Sequence, residues 1–178
     1  MDRCGMNGLM PQPPSPDKRD TIAAARANWE RAGWADVADG MVAVTSVMRA
    51  HQILLARVEN SLRPYDLSFS RYELLRLLAF SRAGALPITK ASDRLQVHVT
   101  SVTHAIRRLE GDGLVERIPH PTDGRTTLVR ITDLGRSTVE DATVTLNDQV
   151  FADIGISHEQ AAALVTAIDM LRHQAGDF

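Results

Sequence analysis

The side chains best suited to chemistry lie between Val97 and Arg125. Val99, Val102, Ile106 and Leu109 recur three and four apart, the spacing of a helix with one buried stripe. Thr100, Ser101, Thr103, His104, Arg107 and Arg108 occupy its other face. Hydroxyls, an imidazole and guanidinium groups are what pair with base edges and phosphates, so the chemistry is duplex recognition. Farther on, a Pro/Asp/Gly tip carries Asp123 and Arg125. Arg125 is suited to a minor groove, with the Asp123 carboxylate orienting its planar fork; a solvated turn with a local ion pair is the alternative. No nucleophile–base–oxyanion constellation or phosphate-binding glycine loop is present, which argues against an enzyme. His158 and His173 are too far apart for a local metal motif, and no His/Cys cluster has zinc spacing. The sequence predicts no catalytic residue, no metal and no cofactor.

Positioning such a face requires a small set of elements. A helix from about Thr89 to Leu95 offers Ile88, Ala91 and Leu95 to the core, with Thr89 as its N-cap and a DNA-facing residue. Gln96 to His98 makes a turn, and the recognition helix runs from Val97 to Gly111. Gly111 and Gly113 allow the chain to leave it, Leu114 to Ile118 alternates as a strand, Pro119 to Thr126 forms a tip, and Leu128 to Thr132 returns. This is helix, turn, helix, then β-hairpin, an order that can lay one helix in the major groove and reach the next minor groove with the hairpin.

The rest of the chain reads as scaffold. Residues 1–16, with four prolines, predict a flexible arm; 17–33 an extra N-terminal helix with Ile22, Ala25 and Trp29 on one side; 34–64 a dimerisation and pocket helix. In that third segment Val37, Met41, Val44, Met48, His51, Leu55, Val58 and Leu62 alternate four and three apart until Pro64, a stripe suited to a helix–helix or subunit interface. Residues 65–135 form the winged helix-turn-helix unit, and 136–178 two C-terminal dimerisation helices, begun by caps at Thr132 and Ser157. The expected fold is therefore mainly α with a small β-hairpin wing.

Charge supports the same orientation. The formal net charge is −2, low for a duplex binder, but it is unevenly spread. From Arg82 to Arg136 nine basic residues face six acids, a net of +3; from Ser137 to Phe178 only Arg172 opposes seven acids, a net of −6. The basic part suits phosphates and the acidic part faces away. The single cysteine, Cys4, allows no disulfide within one chain, and neither a signal peptide nor a membrane-spanning run is read, so a cytoplasmic protein with no membrane partner is expected.

At this point a family resemblance enters. Leu67-Ser68-Phe69-Ser70-Arg71-Tyr72-Glu73-Leu74-Leu75, Val102-Thr103-His104 with Arg107-Arg108-Leu109-Glu110, Gly113-Leu114-Val115-Glu116-Arg117, Asp123-Gly124-Arg125 and Ile131-Thr132 with Gly135 resemble the MarR family of bacterial transcriptional regulators over about Val37 to Gln174. The resemblance implies a homodimeric winged helix-turn-helix protein that represses or activates genes at pseudo-palindromic operators, often until a small, commonly aromatic ligand releases it. Gly124 stands where the family often carries another charge. The extra helix is similar to the urate-responsive branch, whose ligand residues map onto Trp29, Glu73 and Arg117. Ala105 occupies the place of that branch's recognition-helix arginine, so an anionic purine lacks a charge-assisted partner there.

Together these readings predict a DNA-binding regulator, most readily a repressor, with double-stranded DNA, a second copy of itself and a small aromatic or anionic effector as partners. His51 fits either a boundary position or an effector pocket between the dimerisation helices and the winged unit; Tyr72 fits either that pocket or an ordinary core face; Trp29 fits either a ligand site or a packing anchor. The alternative function is a winged-helix protein-interaction module without a specific DNA target.

Overall fold

The computed structural model describes residues 19–123 and 126–178. Cys4 and the arm at 1–16 therefore lie outside the described residues, as do Gly124 and Arg125 at the wing tip. The chain divides between Gln52 and Ile53 into two compact units.

In the first unit α1 spans Thr21–Arg31. It begins where the Asp20 carboxylate accepts the amides of Ile22 and Ala23, at 2.9 and 3.1 Å, which satisfies two of the orphan N–H groups at a helix start. That cap places the start a few residues after Asp17. Gly33, at φ +88°, turns the chain out of the helix. The Trp29 and Trp34 rings then meet edge to face, 5.5 Å between centroids. Arg26 ties Glu30 on its own helix to Asp39 at the start of the next, at 3.0 and 2.7 Å. Helix α2, Ala38–Leu62, follows a 3-10 turn at Ala35–Val37.

The expected stripe along α2 divides. Val58 and Leu62 are buried in the core of the second unit, whereas Val44 and Met48 remain 67% and 60% exposed in the single chain. Pro64 lies in a 3-10 turn, Arg63–Tyr65, directly after the helix, as expected for a residue without an amide hydrogen.

The second unit is built around α3, Phe69–Phe80, begun by Ser68, whose Oγ accepts the Arg71 amide. Its Leu74, Leu75 and Leu78 are almost completely buried, and each such side chain is worth about 1.5–3 kcal/mol of transfer free energy. Against it pack α4 (Ile88–Leu95), α5 (Val99–Gly111) and α6 (Asp133–Leu146). Three short strands, β1 (Ala85–Pro87), β2 (Val115–Pro119) and β3 (Thr127–Ile131), form an antiparallel sheet in the order β1-β3-β2. Val129, opposite both Leu86 and Arg117, is its buried centre. Thr132 caps α6 through a 3.0 Å bond from the Gly135 amide. A π-helical turn at Asn147–Phe151 extends α6, and a Ser157/Gln160 capping box starts α7, His158–Gln174. Val165, Met170 and Leu171 of α7 are exposed.

Three local expectations are corrected. Thr89 is not a cap: α4 starts at Ile88 straight out of β1, with Pro87 in the N-cap position and no side-chain cap. Val99 does not extend the buried stripe of α5, because it stands in the first turn, 42% exposed, before that helix meets the core. The wing has three strands, β1 being too short to show a period of two.

Candidate nucleic-acid interface

The turn that presents α5 is held by its own side chains. Gln96 adopts a left-handed conformation, φ 53°, and the Ser92 hydroxyl donates to the Val97 carbonyl at 2.6 Å. His98 Nδ1 then accepts the Thr100 amide at 3.2 Å, capping the helix. Val102, Ile106 and Leu109 anchor its inner face in the core. Opposite them Thr100, Ser101, His104, Arg107 and Arg108 are exposed. Thr103 is half-buried and donates its hydroxyl to the Val99 carbonyl at 2.8 Å, which leaves only its lone pairs for a partner.

Among the described residues, the side chains of Ser101, His104, Arg107 and Arg108 make no hydrogen bond or ion pair, whereas charges elsewhere on the wing are neutralised locally: Arg117 pairs with Glu110 at 3.2 Å and Arg130 with Glu116 at 2.8 Å. Two arginines and a histidine on one helix face thus keep their donors unused among the described residues. A groove of about 550 Å³ runs between this face and the start of α3. Thr89, in the first turn of α4, shares a smaller groove with Thr126 and Thr127 at the tip end of β3.

At the wing tip the Asp123 carboxylate accepts the Thr126 hydroxyl at 2.7 Å, and the Thr126 amide donates to the Asp123 carbonyl at 3.0 Å.

The residues named for a ligand are distributed differently. Glu73 is half-buried and lines a cavity of about 70 Å³ beneath α5, with Leu74, Leu95, Val97, Val102 and Ala105 as its apolar walls. Burial pushes its carboxyl pKa up, since desolvation disfavours the charged form. Ala105 lies in the same wall, but Arg117 points its guanidinium at Glu110. Tyr72 is buried, and its hydroxyl shares a 3.0 Å hydrogen bond with Thr143 on α6. His51 stands exposed on α2, and Trp29 packs on Trp34. Among the described residues no group of three or more His, Cys, Asp or Glu side chains is gathered for a metal, and no helix is long and apolar enough to cross a membrane.

The structure adds residues that periodicity did not single out. Ser70 and Arg71 form the far wall of the groove facing α5. In the sequence both stand within the Leu67–Leu75 stretch that carries the family resemblance, with nothing in their spacing to mark them.

A model of the MarR family matches residues 67–127. The crystal structure of Sco5413, a MarR family transcriptional regulator from Streptomyces coelicolor, is 46% identical in sequence and covers 79% of this chain and 97% of that one, with a TM-score of 0.71. Sco3205, a MarR family transcriptional regulator from the same organism solved in complex with DNA, is 22% identical, covers 77% of this chain and 88% of that one at a TM-score of 0.67, and shows the shared fold. The transcriptional repressor IacR of Pseudomonas putida is 33% identical over 92 residues, 52% of this chain and 54% of that protein. The chain spans about half the length of the curated relatives it matches.

Proposed function

The chain belongs to the MarR family of transcriptional regulators, and from that premise we propose that it is a transcriptional repressor that binds a pseudo-palindromic operator as a homodimer. The observation that carries the proposal is the outer face of α5, where Ser101, His104, Arg107 and Arg108 are exposed with donors unused among the described residues. On this reading Thr100, Ser101, Thr103, His104 and Arg107 read or position bases, Arg108 and Thr89 hold the backbone, and the tip at Asp123 and Arg125 reaches the minor groove. Repression is favoured by the likeness to a protein described as a repressor.

The second copy is proposed from the apolar residues left uncovered, Val44 and Met48 on α2 and Val165 and Leu171 on α7. Large apolar side chains left in water on a helix are what a subunit interface covers. A two-fold dimer sets its recognition helices about 34–36 Å apart, one turn of DNA.

The effector is proposed as a small aromatic or anionic molecule, with Glu73 the best supported of the named ligand residues. Its cavity of about 70 Å³ is well below the roughly 300–1,000 Å³ of ordinary small-molecule sites, so a ligand entering there must displace α5. That is the movement needed to release DNA. Because burial already disfavours the Glu73 charge, this cavity suits a neutral aromatic better than an anion. Trp29, His51, Tyr72 and Arg117 remain in the proposal as residues to be substituted in the same screen.

Mobility shift with duplexes selected from a random pool tests the DNA reading. Saturable binding that weakens steeply with salt is expected. Affinity for the selected duplex equal to that for random DNA would refute sequence-specific binding and favour a protein-interaction module. A thermal-shift screen of aromatic acids, purines and phenolics tests the sensor reading, and no stabilisation by any of them refutes it for these classes.

A further inference from the structure

We infer that the groove between α3 and α5 is a seat for one DNA backbone phosphate, with Arg71 of α3 as a positioning residue that sets how α5 lies against the duplex. The inference rests on the DNA reading of α5 and extends it to a helix outside the helix-turn-helix pair.

The groove's chemistry has one sign. Arg71 forms one wall, Arg108 and His104 the other, and the hydroxyls of Ser70, Thr100 and Ser101 lie between; no carboxylate lines it. Its volume of about 550 Å³ accommodates a phosphate with its adjoining sugars. Arg71 is also preorganised. Its side chain is only 14% exposed, its Nε donates to Ser68 Oγ at 3.3 Å, and its Nη1 donates to Asp112 Oδ2 at 3.5 Å. Both bonds are long, so the guanidinium is aimed but not consumed, and Nη2 has no partner among the described residues. Arg108 across the groove makes none either. A guanidinium fork held this way loses little entropy on meeting a phosphate oxygen.

A free inorganic oxyanion offers the same chemistry, but the groove is open to water, where a small hydrated anion gains little. One wall is the proposed base-reading face itself. DNA held by α5 therefore delivers its phosphate at high effective concentration. Since α3 is packed into the core, a phosphate fixed on Arg71 fixes the docking angle of α5, a contribution blind to base sequence.

The test uses the full chain and fluorescence anisotropy with two labelled duplexes, one selected by the wild-type protein and one of random sequence, across a salt series. Arg71→Gln is expected to weaken both by a similar factor, on the order of tenfold, and to reduce the slope of log K against log salt by about 0.9 per half-site. Arg71→Lys, which keeps the charge, restores most of the slope. An unchanged slope in Arg71→Gln, or weakening confined to the selected duplex, overturns the phosphate seat while leaving the DNA reading intact. A wild-type protein that shows no salt-dependent duplex binding overturns both. Sodium sulfate at constant ionic strength separates the two anion sources: saturable stabilisation of wild type that Arg71→Gln abolishes, with duplex binding unaffected, assigns the groove to a free oxyanion and overturns the proposal. If Arg71→Gln does not fold, Asp112→Asn decides, since removing the acid that shares Arg71 must tighten duplex binding. Unaltered affinity in that variant overturns the proposal.

Discussion

Gly135 is where this fold has the least room. A Cβ built there would lie 2.0 Å from the Leu114 carbonyl oxygen, 2.9 Å from its carbon and 3.0 Å from Ile131 Cγ1. Ordinary contacts fall near 3.5–4.0 Å, so Gly135→Ala must push the first turn of α6 away from the wing by roughly 1–1.5 Å. The obstacle is backbone, which cannot swing aside as a side chain would. The displaced turn carries Thr132, whose amide donates to the Leu114 carbonyl at 3.1 Å and whose hydroxyl donates to the Gly113 carbonyl at 2.8 Å while accepting the Gly135 amide. Overpacking costs about 1–3 kcal/mol, loss of a cap about 1 and loss of a backbone hydrogen bond about 1, giving about 3–5 kcal/mol together. For a chain of this size that lowers Tm by roughly 6–20 °C. Thermal unfolding followed by circular dichroism, at equal protein concentration because any self-association shifts Tm, measures it. Gly111→Ala is the paired control: nothing lies within 4 Å of its Cβ position, and at the end of α5 an alanine adds about 0.5–1 kcal/mol. A Gly135→Ala protein that melts within about 2 °C of wild type would refute the close-approach argument.

Glu73→Gln should raise Tm near neutral pH and leave it unchanged in acid. Burial raises this carboxyl above its ordinary value of 4.5, so the charged form penalises the folded state as pH rises through the folded pKa, and the penalty is absent below the unfolded one. Equal Tm differences at acid and neutral pH would contradict that cause. Met48→Glu and Leu171→Glu, on the exposed apolar faces of α2 and α7, should weaken self-association on the order of tenfold or more in analytical ultracentrifugation, because an interface would bury the added charge. Dimers that persist unaltered in both variants would place the subunit interface elsewhere.

Much of this architecture was legible because it depends on local rules. The α5 stripe at Val102, Ile106 and Leu109 follows from spacing alone, and the caps at Thr132 and Ser157 from hydroxyls placed before apolar runs. Failures came where a local rule met a tertiary constraint. Thr89 looked like a cap until β1, which exists only because β3 pairs with it, delivered the chain into α4 at Pro87 and Ile88. Val99 continued a periodic stripe past the point where core remained to cover it. Glu73 was named from resemblance, but its desolvation and cavity depend on how α3, α4 and α5 come together.

By itself the sequence determined which segments are helices, which face of α5 is polar and basic, and that charge is divided between a basic middle and an acidic end, because these properties reside in neighbouring residues and their periods. Tertiary structure decided which charges remain available. Arg117 and Arg130 are spent on Glu110 and Glu116, Arg76 is clamped by Glu140 at 2.7 and 3.0 Å, and Arg71 is brought 41 residues across the chain to Asp112 and the α5 face. A sequence counts all of these arginines alike. Only packing places some beside carboxylates and leaves others, such as Arg107 and Arg108, on an open face, because Coulombic pairing falls off over a few ångströms that sequence separation does not measure.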